Sequence, residues 1–585
     1  MTLTIPALRS LQTVEVVDLF CSFFDTSKIP SNLVFSRARR RHNPDKLAVD
    51  CAFLSLQGLA EICAIAQPSK LNNTALLTPI AKAWPMIYPW LAVFYTVYTE
   101  TFKNDPDSHS MHIAVIGNCI LKLTYIDNIR LLMANTPGMF KLVAKLWKEE
   151  PSGPPPSKTH MRAGSFALQQ LLMEFKTLTP FDEVVEVIGS PKAVIQIGMS
   201  RLRIALKEKQ PSVDRIKVYV DVLNNLTRGT AHPLRHAILH EGGMALVTKA
   251  FLKLSTMDPS TLLVAAVRAC FLFLHNLVEA GQGIPWIKQI VEEGFLQAYV
   301  NASPLFAQFD DHVQDMAFSF IANIIPRYLV FRHVVSAVGP ALDKLDATNV
   351  RAKLALSPAR YQEAWDTMQE LAKERVDARN LGDAMRKELG CCNYCKEPST
   401  RTSLRRCSGC RQVYYCSEKC QVADWKTKGH KTECKLRQED KKTTPDIDSF
   451  YRDDHSFHNN LAILDARNNA SRLRKTIARD FPGVSRAELG VRIDYTVFPP
   501  TYGAFRLRDH ECTEDMHELI SEAREARVQT VLDKAINSKG QMTLIESIVT
   551  VGELNSLVET LMHCSLWDVS EGDEQPEAAW WQFWR

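Results

Sequence analysis

The sequence predicts a mainly α-helical protein made of an N-terminal α-solenoid, a small finger built around two metal ions, and a C-terminal α+β module. Three observations support this prediction. Apolar residues recur at helical spacing through residues 1–350. Eight of the 15 cysteines fall between Cys391 and Cys434. Alternation of apolar and polar residues, which is typical of a half-buried strand, becomes clear only at Leu489.

The bulk composition is that of a globular protein. The chain has 585 residues, of which 46% are hydrophobic and 23% are charged. That length suggests about three or four domains. The 70 basic and 66 acidic side chains leave a formal net charge of +4, whereas a dedicated nucleic-acid-binding protein is usually far more basic. The composition therefore gives no strong signal of nucleic-acid binding.

The sequence shows no clear targeting or membrane-spanning segment. The N-terminus lacks the charged and then apolar segments that mark a secretory signal. Residues 83–99 carry no charge, but they are short for a span and are interrupted by Pro85 and Pro89, so a buried helix is the better prediction. We expect an intracellular protein of the cytoplasm or nucleus, neither secreted nor bound to a membrane, with reduced cysteines.

A weak internal repeat supports the solenoid. Four times within residues 1–350, an apolar helical run reaches a glycine and a second helical run follows; these glycines are Gly138, Gly189, Gly242 and Gly294, spaced 51, 53 and 52 residues apart. A glycine at a helix C-terminus adopts the left-handed conformation at little cost and lets the chain turn. Two-helix units that bury their faces on their neighbours form a solenoid. The alternative is an irregular helical domain.

The third junction is the most informative of the four. Residues 238–247 read Ile-Leu-His-Glu-Gly-Gly-Met-Ala-Leu-Val and resemble a helix junction of armadillo repeats. This resemblance implies an armadillo/HEAT-like fold for residues 1–350. The period of about 52 residues is longer than the ~40–47 residues of such repeats, and loops such as residues 255–260 are expected to take up the difference.

Two segments flank the predicted finger at residues 391–435. Residues 351–390 are charged and periodic, and they predict a helical connector that leads into the finger. Residues 436–450 are polar and have the composition of a linker.

Residues 451–570 change in character and predict the small α+β module. A strand from Leu489 is ended by prolines, a helix is expected between Thr513 and Gly540, and a second strand follows. Residues 571–585 form an acidic and then aromatic tail. Two interpretations of the tail stay open: a strand or turn docked on the module, or an exposed aromatic anchor for a partner.

Four pairs of metal-binding side chains lie within the finger, with the spacings Cys-x2-Cys, Cys-x2-Cys, Cys-x3-Cys and His-x3-Cys. Two-residue gaps suit a tight turn and three-residue gaps suit one turn of helix, so each pair can converge on one ion. Eight such ligands complete two tetrahedral zinc sites and leave no position for water, which is typical of structural rather than catalytic zinc. The predicted ligands are Cys392, Cys395, Cys407, Cys410, Cys416, Cys420, His430 and Cys434.

The finger resembles a known family. The run Tyr-Tyr-Cys-Ser-Glu-Lys-Cys-Gln-Val-Ala-Asp-Trp at 414–425, the His-Lys-x2-Cys at 430–434 and the Cys-Ser-Gly-Cys at 407–410 are similar to the MYND zinc finger. The resemblance covers about 43 of the 585 residues. It implies two structural Zn²⁺ ions with interleaved ligands, which places the first Cys pair with the third pair and the second pair with the His-Cys pair.

The resemblance also implies a peptide site. Fingers of this family bind short proline-containing peptides in a shallow groove, and the matching positions here are Ser408, Gln421 and Trp425. An indole face stacks on proline rings, and a glutamine amide can bond to a peptide backbone. The alternatives are that Trp425 is a core residue of its helix and that Gln421 is simply exposed. The four residues between Trp425 and His430 exceed the family's usual two or so, and Gly429 is expected to let the chain loop out.

Basic residues surround the finger. They are expected either to steer acidic partners or merely to solvate a small domain. These residues are Arg401, Arg405, Arg406, Arg411, Lys426, Lys428 and Lys431.

The sequence therefore favours a non-enzymatic scaffold or adaptor that recruits proteins bearing short proline-rich motifs, with no small-molecule substrate. The resemblance implies roles such as a ubiquitin-ligase adaptor or a transcriptional co-regulator. A SET-type protein-lysine methyltransferase is disfavoured, because a long helical region precedes the finger and no Asn-His dipeptide occurs. A RING-like ubiquitin ligase is disfavoured, because Cys410 stands where such a finger has histidine.

Histidines elsewhere carry weaker signals. His232, His236 and His240 recur at helical spacing, and we expect them to form a solvated face rather than a metal site or pH sensor. His455 and His458 lie in polar sequence and indicate no function.

Overall fold

The computed structural model describes most of the chain, and the statements below concern the residues that it describes. These are 13–31, 43–66, 74–150, 163–174, 177–346, 350–411, 413–443, 445–509, 522–562 and 564–568. The chain divides into two compact units, Met1–Asn276 and Leu277–Arg585. The predicted tail at 571–585 and the helix start predicted at Thr513 lie outside the described residues.

The first unit is built from helices over its described residues. Several begin where a side chain accepts a backbone N–H of the first turn, as Asp105, Ser190 and Ser212 do. In chain order the helices are α1 (Val14–Ser22), α2 (Pro44–Ala66), α3 (Thr74–Thr101), α4 (Pro106–Leu123), α5 (Asp127–Ala134), α6 (Met139–Glu149), α7 (Ala163–Leu172), α8 (Thr179–Ile188), α9 (Pro191–Lys207), α10 (Val213–Leu226), α11 (Pro233–His240), α12 (Gly243–Leu254) and α13 (Thr261–Leu277).

The uncharged stretch at 83–99 forms part of α3, whose Trp84, Trp90 and Phe94 are buried, as the sequence predicts. A different helix segment among the described residues, Pro44–Ile65, is long and apolar enough to cross a membrane by length and composition alone. Half of the apolar window of that segment is buried inside the fold, and the core helix of a soluble protein meets the same criterion.

The second unit contains helices, the finger and a sheet. Its helices are α14 (Ile284–Glu292), α15 (Phe295–Ala302), α16 (Asp311–Ser319), α17 (Ile325–Tyr328), α18 (Arg332–Asp346), α19 (Val350–Leu354), α20 (Ala359–Glu388), α21 (Glu418–Thr427), α22 (His430–Thr443), α23 (Pro445–Asn468), α24 (Ala470–Asp480) and α25 (Glu522–Asn537). Its strands are β1 (Leu389–Cys391), β2 (Pro398–Thr400), β3 (Arg405–Arg406), β4 (Tyr414–Tyr415), β5 (Leu489–Asp494), β6 (Thr501–Arg506), β7 (Thr543–Val551) and β8 (Leu554–Met562).

The four repeat glycines all adopt the left-handed conformation, with φ of 81° at Gly138, 115° at Gly189, 81° at Gly242 and 95° at Gly294. Each lies between two helices, and a Cβ added at Gly189 or Gly242 would meet no atom within 4 Å. The backbone angle, rather than lack of space, therefore favours glycine at those two positions. The helix–glycine–helix pattern is confirmed, whereas the assignment to armadillo/HEAT-like repeats stays a prediction.

The C-terminal module is a four-stranded sheet, as the α+β prediction requires. Its strand order is β6–β5–β7–β8, in which β5 and β7 are parallel and the other pairs are antiparallel. The helix α25 lies between β6 and β7 in sequence and packs on the sheet, where Phe505, Leu532 and Leu544 form a buried cluster. Gly540 follows α25 with a φ of 87°.

The segments on both sides of the finger are helical. Most of the predicted connector forms α20, as expected, and its residues Tyr361, Trp365 and Met368 are buried. Residues 436–443, which their polar composition predicts to be linker, instead continue α22, and α23 begins at Pro445. Lysine, arginine, glutamine and glutamate are good helix formers, and proline suits a first helical turn, so a polar run of this kind can extend a helix.

One of the three histidines expected to be solvated is buried. His232 accepts the N–H of Leu234 at the start of α11 and lies 3.3 Å from Asp182. His236 and His240 are exposed, as expected. His232 is buried because its imidazole caps the start of α11, which helical periodicity alone does not predict.

A buried ion pair joins α20, α23 and the sheet within the second unit. The guanidinium of Arg375 donates to both carboxylate oxygens of Asp465 at 2.7 and 2.9 Å, and Tyr495 donates its hydroxyl to Asp465 at 2.8 Å. The Arg375 and Asp465 side chains are 5% and 4% exposed. Because both charges are desolvated, this three-residue contact leaves little freedom in how the sheet module sits on α20 and α23.

The stability of the second unit is expected to fall as the pH is lowered, because His458 is buried beside this ion pair. Burial lowers the pKa of His458 from 6.5 to about 4. Arg375, whose positive charge also lowers that pKa, lies nearby, as does the Tyr495 ring. As the pH falls, the His458 imidazole binds a proton in the unfolded chain before it does so in the folded chain. The folded state is therefore fully stabilised above pH 6.5 and loses stability as the pH falls towards 4. The total loss of folding free energy is roughly 3 kcal/mol.

Thermal unfolding of the full chain and of His458→Phe at pH 7 and pH 5 checks this expectation. The phenylalanine keeps an aromatic ring beside Tyr495 but cannot titrate. The wild-type midpoint should fall further than that of the variant between the two pH values. Equal falls would show that His458 does not titrate in this range.

Candidate metal centre

Two clusters of four side chains lie within the finger. The ligand atoms of Cys392, Cys395, Cys416 and Cys420 lie within 4.8 Å of one another, and so do those of Cys407, Cys410, His430 and Cys434. Each cluster combines residues that are far apart in sequence. This is the interleaved grouping that the resemblance implies.

The spacing of the ligand atoms fits zinc. Cys395 Sγ lies 3.7 Å from Cys416 Sγ, which in turn lies 3.5 Å from Cys420 Sγ. In the second cluster, His430 Nε2 lies 3.5 Å from Cys407 Sγ and 3.8 Å from Cys410 Sγ. Two sulfurs bound at about 2.3 Å to one tetrahedral ion would lie about 3.8 Å apart. The donor set and its spacing therefore fit two Zn²⁺ ions.

The two Cys-x2-Cys segments form matching turns. Lys396 N donates to Cys392 O at 3.0 Å, and Arg411 N donates to Cys407 O at 3.1 Å. Both residues after the second cysteine are left-handed, with φ of 61° at Lys396 and 57° at Arg411. Each turn therefore folds back on its first cysteine and points both thiols to one side.

A short β-ribbon explains why the ligands interleave. The strands β3 and β4 pair with Arg405 opposite Tyr415, and Cys407 N donates to Val413 O at 2.9 Å. The other turn joins the same ribbon, because Asn393 N donates to Tyr414 O at 2.7 Å. Residues 413–415 thus hold both turns and lead directly into Cys416.

The remaining ligands lie at the starts of two helices. Cys420 lies in the first turn of α21, where Ser417 accepts the Cys420 N–H at 3.2 Å. His430 and Cys434 are one helical turn apart at the start of α22, so their side chains share a face. The x3 spacing predicts the helical pair His430 and Cys434, whereas Cys416 lies just before the Ser417 cap of α21 and only Cys420 is in that helix.

Asp424 is a buried residue that the sequence gives no reason to single out. Its Oδ2 accepts the Tyr415 hydroxyl and the Asn393 side-chain amide, each at 2.7 Å, and its side chain is almost fully buried. One carboxylate thus ties together β4, the first cysteine turn and α21. Only the folded arrangement reveals this role, because the three residues belong to separate elements.

The protein environment favours the ligand forms of Cys392, Cys407 and His430. Burial opposes ionisation of Cys392, but hydrogen bonds from the backbone of Cys395, Cys416 and Tyr394 outweigh it and lower the pKa of that thiol to about 7. Burial also lowers the pKa of His430, which keeps the imidazole neutral. Zinc binds the thiolate and the neutral imidazole. Each cluster supplies four protein ligands, so the chemistry fits a structural site.

Two of the three predicted peptide-contact residues, Ser408 and Trp425, lie at the second cluster, and Gln421 directly follows Cys420 of the first. Ser408 is exposed in the second cysteine turn, and Gln421 is half-buried on α21. Trp425 is 38% exposed, and its ring packs edge-on against His430 with centroids 5.9 Å apart. Trp425 therefore both packs on a zinc ligand and presents indole surface to solvent. Val422, one turn away on α21, is exposed as well.

Each metal cluster is attached to a different element of the second unit. The first begins at Cys392, immediately after β1, which continues from α20. The second includes two residues of α22, a helix that packs along α25 of the sheet module. Glu433 on α22 accepts from Arg437 at 2.5 Å and lies 3.4 Å from Lys534 on α25. The finger therefore joins α20 to the sheet module.

The finger matches known proteins over a short part of the chain. The family model described as MYND finger matches residues 392–434. SET domain-containing protein 14 of Caenorhabditis elegans is 50% identical over 44 residues, and SET domain and MYND-type zinc finger protein 6 of Schizosaccharomyces pombe is 38% identical over 71 residues. Ubiquitin carboxyl-terminal hydrolase 19 of Arabidopsis thaliana is 31% identical over 123 residues.

These matches leave most of each protein unmatched. They span 8%, 12% and 21% of this chain and 9%, 14% and 16% of the respective relatives. They support a zinc-binding protein-interaction module within the chain. The relatives carry names of different activities, so the shared stretch alone does not specify an activity for this chain.

Proposed function

We propose that this chain, whose residues 392–434 are a MYND finger, is a non-enzymatic adaptor that recruits partner proteins bearing short proline-containing segments. Two structural zinc ions fit the eight thiol and imidazole ligands of the finger. Thiols stay reduced in the cytoplasm and nucleus, which supports the proposal that the adaptor acts there. We further propose that the adaptor acts either in a ubiquitin-ligase complex or as a transcriptional co-regulator.

The partly exposed indole of Trp425 is the observation that carries the proposal. Exposing a large apolar ring to water is unfavourable, and covering it with a partner removes that cost. Tryptophan is also enriched at binding hot spots. The His430 contact restrains the ring, so little conformational freedom would be lost when a proline ring stacks on it. Gln421 and Val422 on the same helix would line the groove beside it.

Replacing Trp425 by alanine is expected to weaken peptide binding about thirtyfold, the equivalent of about 2 kcal/mol for an aromatic hot spot. The measurement is fluorescence anisotropy with the full chain and the labelled peptide Gln-Gln-Pro-Pro-Leu-Pro-Gln-Gln. Trp425→Phe should lose less, because it keeps a ring. Leu356→Ala, which removes another exposed apolar side chain, should bind like the wild type.

Zinc content separates a lost contact from a lost fold. Native mass spectrometry should find two zinc ions in every variant. The proposal is wrong if the proline peptide and its Ala-substituted counterpart bind equally, or if Trp425→Ala binds the proline peptide as well as the wild type does.

A further inference from the structure

We propose that the finger carries an arginine face, formed by Arg401 and Arg406 at the Tyr414 ring together with the adjacent Arg411, that binds carboxylate side chains of a partner peptide next to its proline segment. This inference rests on the proposed function and names the chemistry of the partner that the groove receives.

The arginine face is a compact feature of the β-ribbon. The Arg401 guanidinium carbon lies 4.4 Å from the centre of the Tyr414 ring, and Arg401 also donates to the Tyr414 hydroxyl at 2.7 Å. The Arg406 guanidinium carbon lies 5.7 Å from the same ring centre. Arg406 Nε donates to the backbone carbonyl of Arg411 at 2.6 Å. The Tyr414 ring therefore gathers two cationic side chains, and the bond from Arg406 to the Arg411 backbone places a third arginine beside them.

The arginine face is positively charged. Among the residues that the structure describes, no carboxylate lies within ion-pair distance of Arg401, Arg406 or Arg411. Like charges held close together raise the electrostatic energy, and a bound anion would lower it. Arg406 and Arg411 are exposed, so an anion can reach them.

The arginine face is preorganised. Stacking on Tyr414 and the bond to its hydroxyl restrain Arg401. Arg406 is restrained by the bond from its Nε to Arg411 O, which does not involve its two terminal nitrogens. Arg411 follows Cys410, and its left-handed backbone is part of the second cysteine turn. Preorganised guanidinium groups lose little freedom on binding and suit the paired oxygens of a carboxylate.

The position of the arginine face favours a peptide as the occupant. Ser408, one of the predicted groove residues, lies in the turn between Arg406 and Arg411, so a peptide in the groove would carry its flanking residues across the arginines. A single-stranded nucleic acid is also anionic, but the chain as a whole has a formal charge of only +4. We therefore assign the face to aspartate and glutamate side chains of a partner protein.

Four labelled peptides test the inference by fluorescence anisotropy with the full chain. Two contain prolines, Glu-Glu-Pro-Pro-Leu-Pro-Glu-Glu and its Gln-for-Glu counterpart; the other two have alanine in place of every proline. The acidic proline peptide is expected to bind about tenfold more tightly than the neutral one, a difference of about 1.4 kcal/mol. That difference should shrink as salt is raised.

Variants then locate the effect. The double substitution Arg406→Gln and Arg411→Gln should abolish the advantage of the acidic peptide and leave binding of the neutral proline peptide unchanged. Lys419→Gln removes an exposed charge elsewhere on the finger and should keep most of that advantage. Two bound zinc ions in each variant would show that the finger is intact.

The possible failures are distinguishable. Equal binding of acidic and neutral proline peptides overturns the arginine face but leaves the proline groove standing. Equal binding of the acidic peptides with and without proline overturns the groove and leaves the arginine face. If a twelve-nucleotide poly-U RNA binds more tightly than the acidic peptide, and the double substitution removes that binding, the face is a nucleic-acid site and the inference is wrong.

Discussion

Replacing Cys407 by serine in the full chain is expected to reduce bound zinc from two ions to one and to release the sheet module from the finger. Cys407 belongs to the cluster that includes His430 and Cys434, the two ligands at the start of α22. Structural zinc contributes about 10–16 kcal/mol to the folding of comparable small fingers, so its loss leaves this half of the finger without its main stabilisation.

The effect should spread from α22 to α25, because these helices pack on each other and Glu433 pairs with Lys534. Hydrogen exchange followed by mass spectrometry should therefore show faster exchange in both helices. Cys395→Ser, which removes a ligand of the other cluster, should instead affect the junction of α20 and β1 most strongly. The two variants thus distinguish the element that each cluster holds.

Cys51→Ser is the matched control, since Cys51 lies in the first unit and outside both clusters. It should keep two zinc ions and the wild-type exchange pattern. Retention of two ions by Cys407→Ser would contradict the assignment of that cluster. Loss of one ion with unchanged exchange in α25 would contradict the coupling through α22.

Replacing Asp465 by alanine is expected to destabilise the second unit by about 3–5 kcal/mol, because it leaves the buried Arg375 charge without its carboxylate. The same change also removes the acceptor of the Tyr495 hydroxyl, which is otherwise buried. Asp465→Asn should cost less, because the amide oxygen can still accept a hydrogen bond.

Hydrogen exchange of α20, α23 and β5 is the appropriate measurement, because a chain of two units need not unfold in one step. Asp480→Ala is the matched control, since Asp480 pairs with Arg479 at the surface and a surface pair contributes little. The combined change Arg375→Met and Asp465→Leu should recover part of the stability. If Asp465→Ala and Asp480→Ala exchange alike, the buried pair does not hold these elements together.

Features that depend on neighbours in sequence were accessible from the sequence. The ligand set follows from the x2 and x3 spacings, because these gaps decide which side chains can share an ion. The glycines between helix pairs follow from the ends of apolar runs, and β5 follows from alternation. The interleaved pairing of ligands came from the family resemblance, since spacing alone allows other groupings.

Local reasoning failed where burial or helix capping decides. His458 lies in polar sequence but is buried on α23, and His232 caps a helix instead of facing solvent. The polar run after Cys434 has linker composition, yet it continues α22. The polarity of a residue indicates whether it favours contact with water. It does not indicate whether an element distant in sequence will bury that residue.

The sequence by itself determined the type of metal site and the helical and sheet-forming parts of the chain, because ligand spacing and hydrophobic periodicity act over a few residues. Only the tertiary structure decided that Asp424 joins three elements of the finger, that Asp465 pairs with Arg375, and that Arg401 and Arg406 meet at Tyr414. These contacts join residues up to 90 positions apart. Their energies depend on burial and mutual geometry, which exist only once the chain has folded.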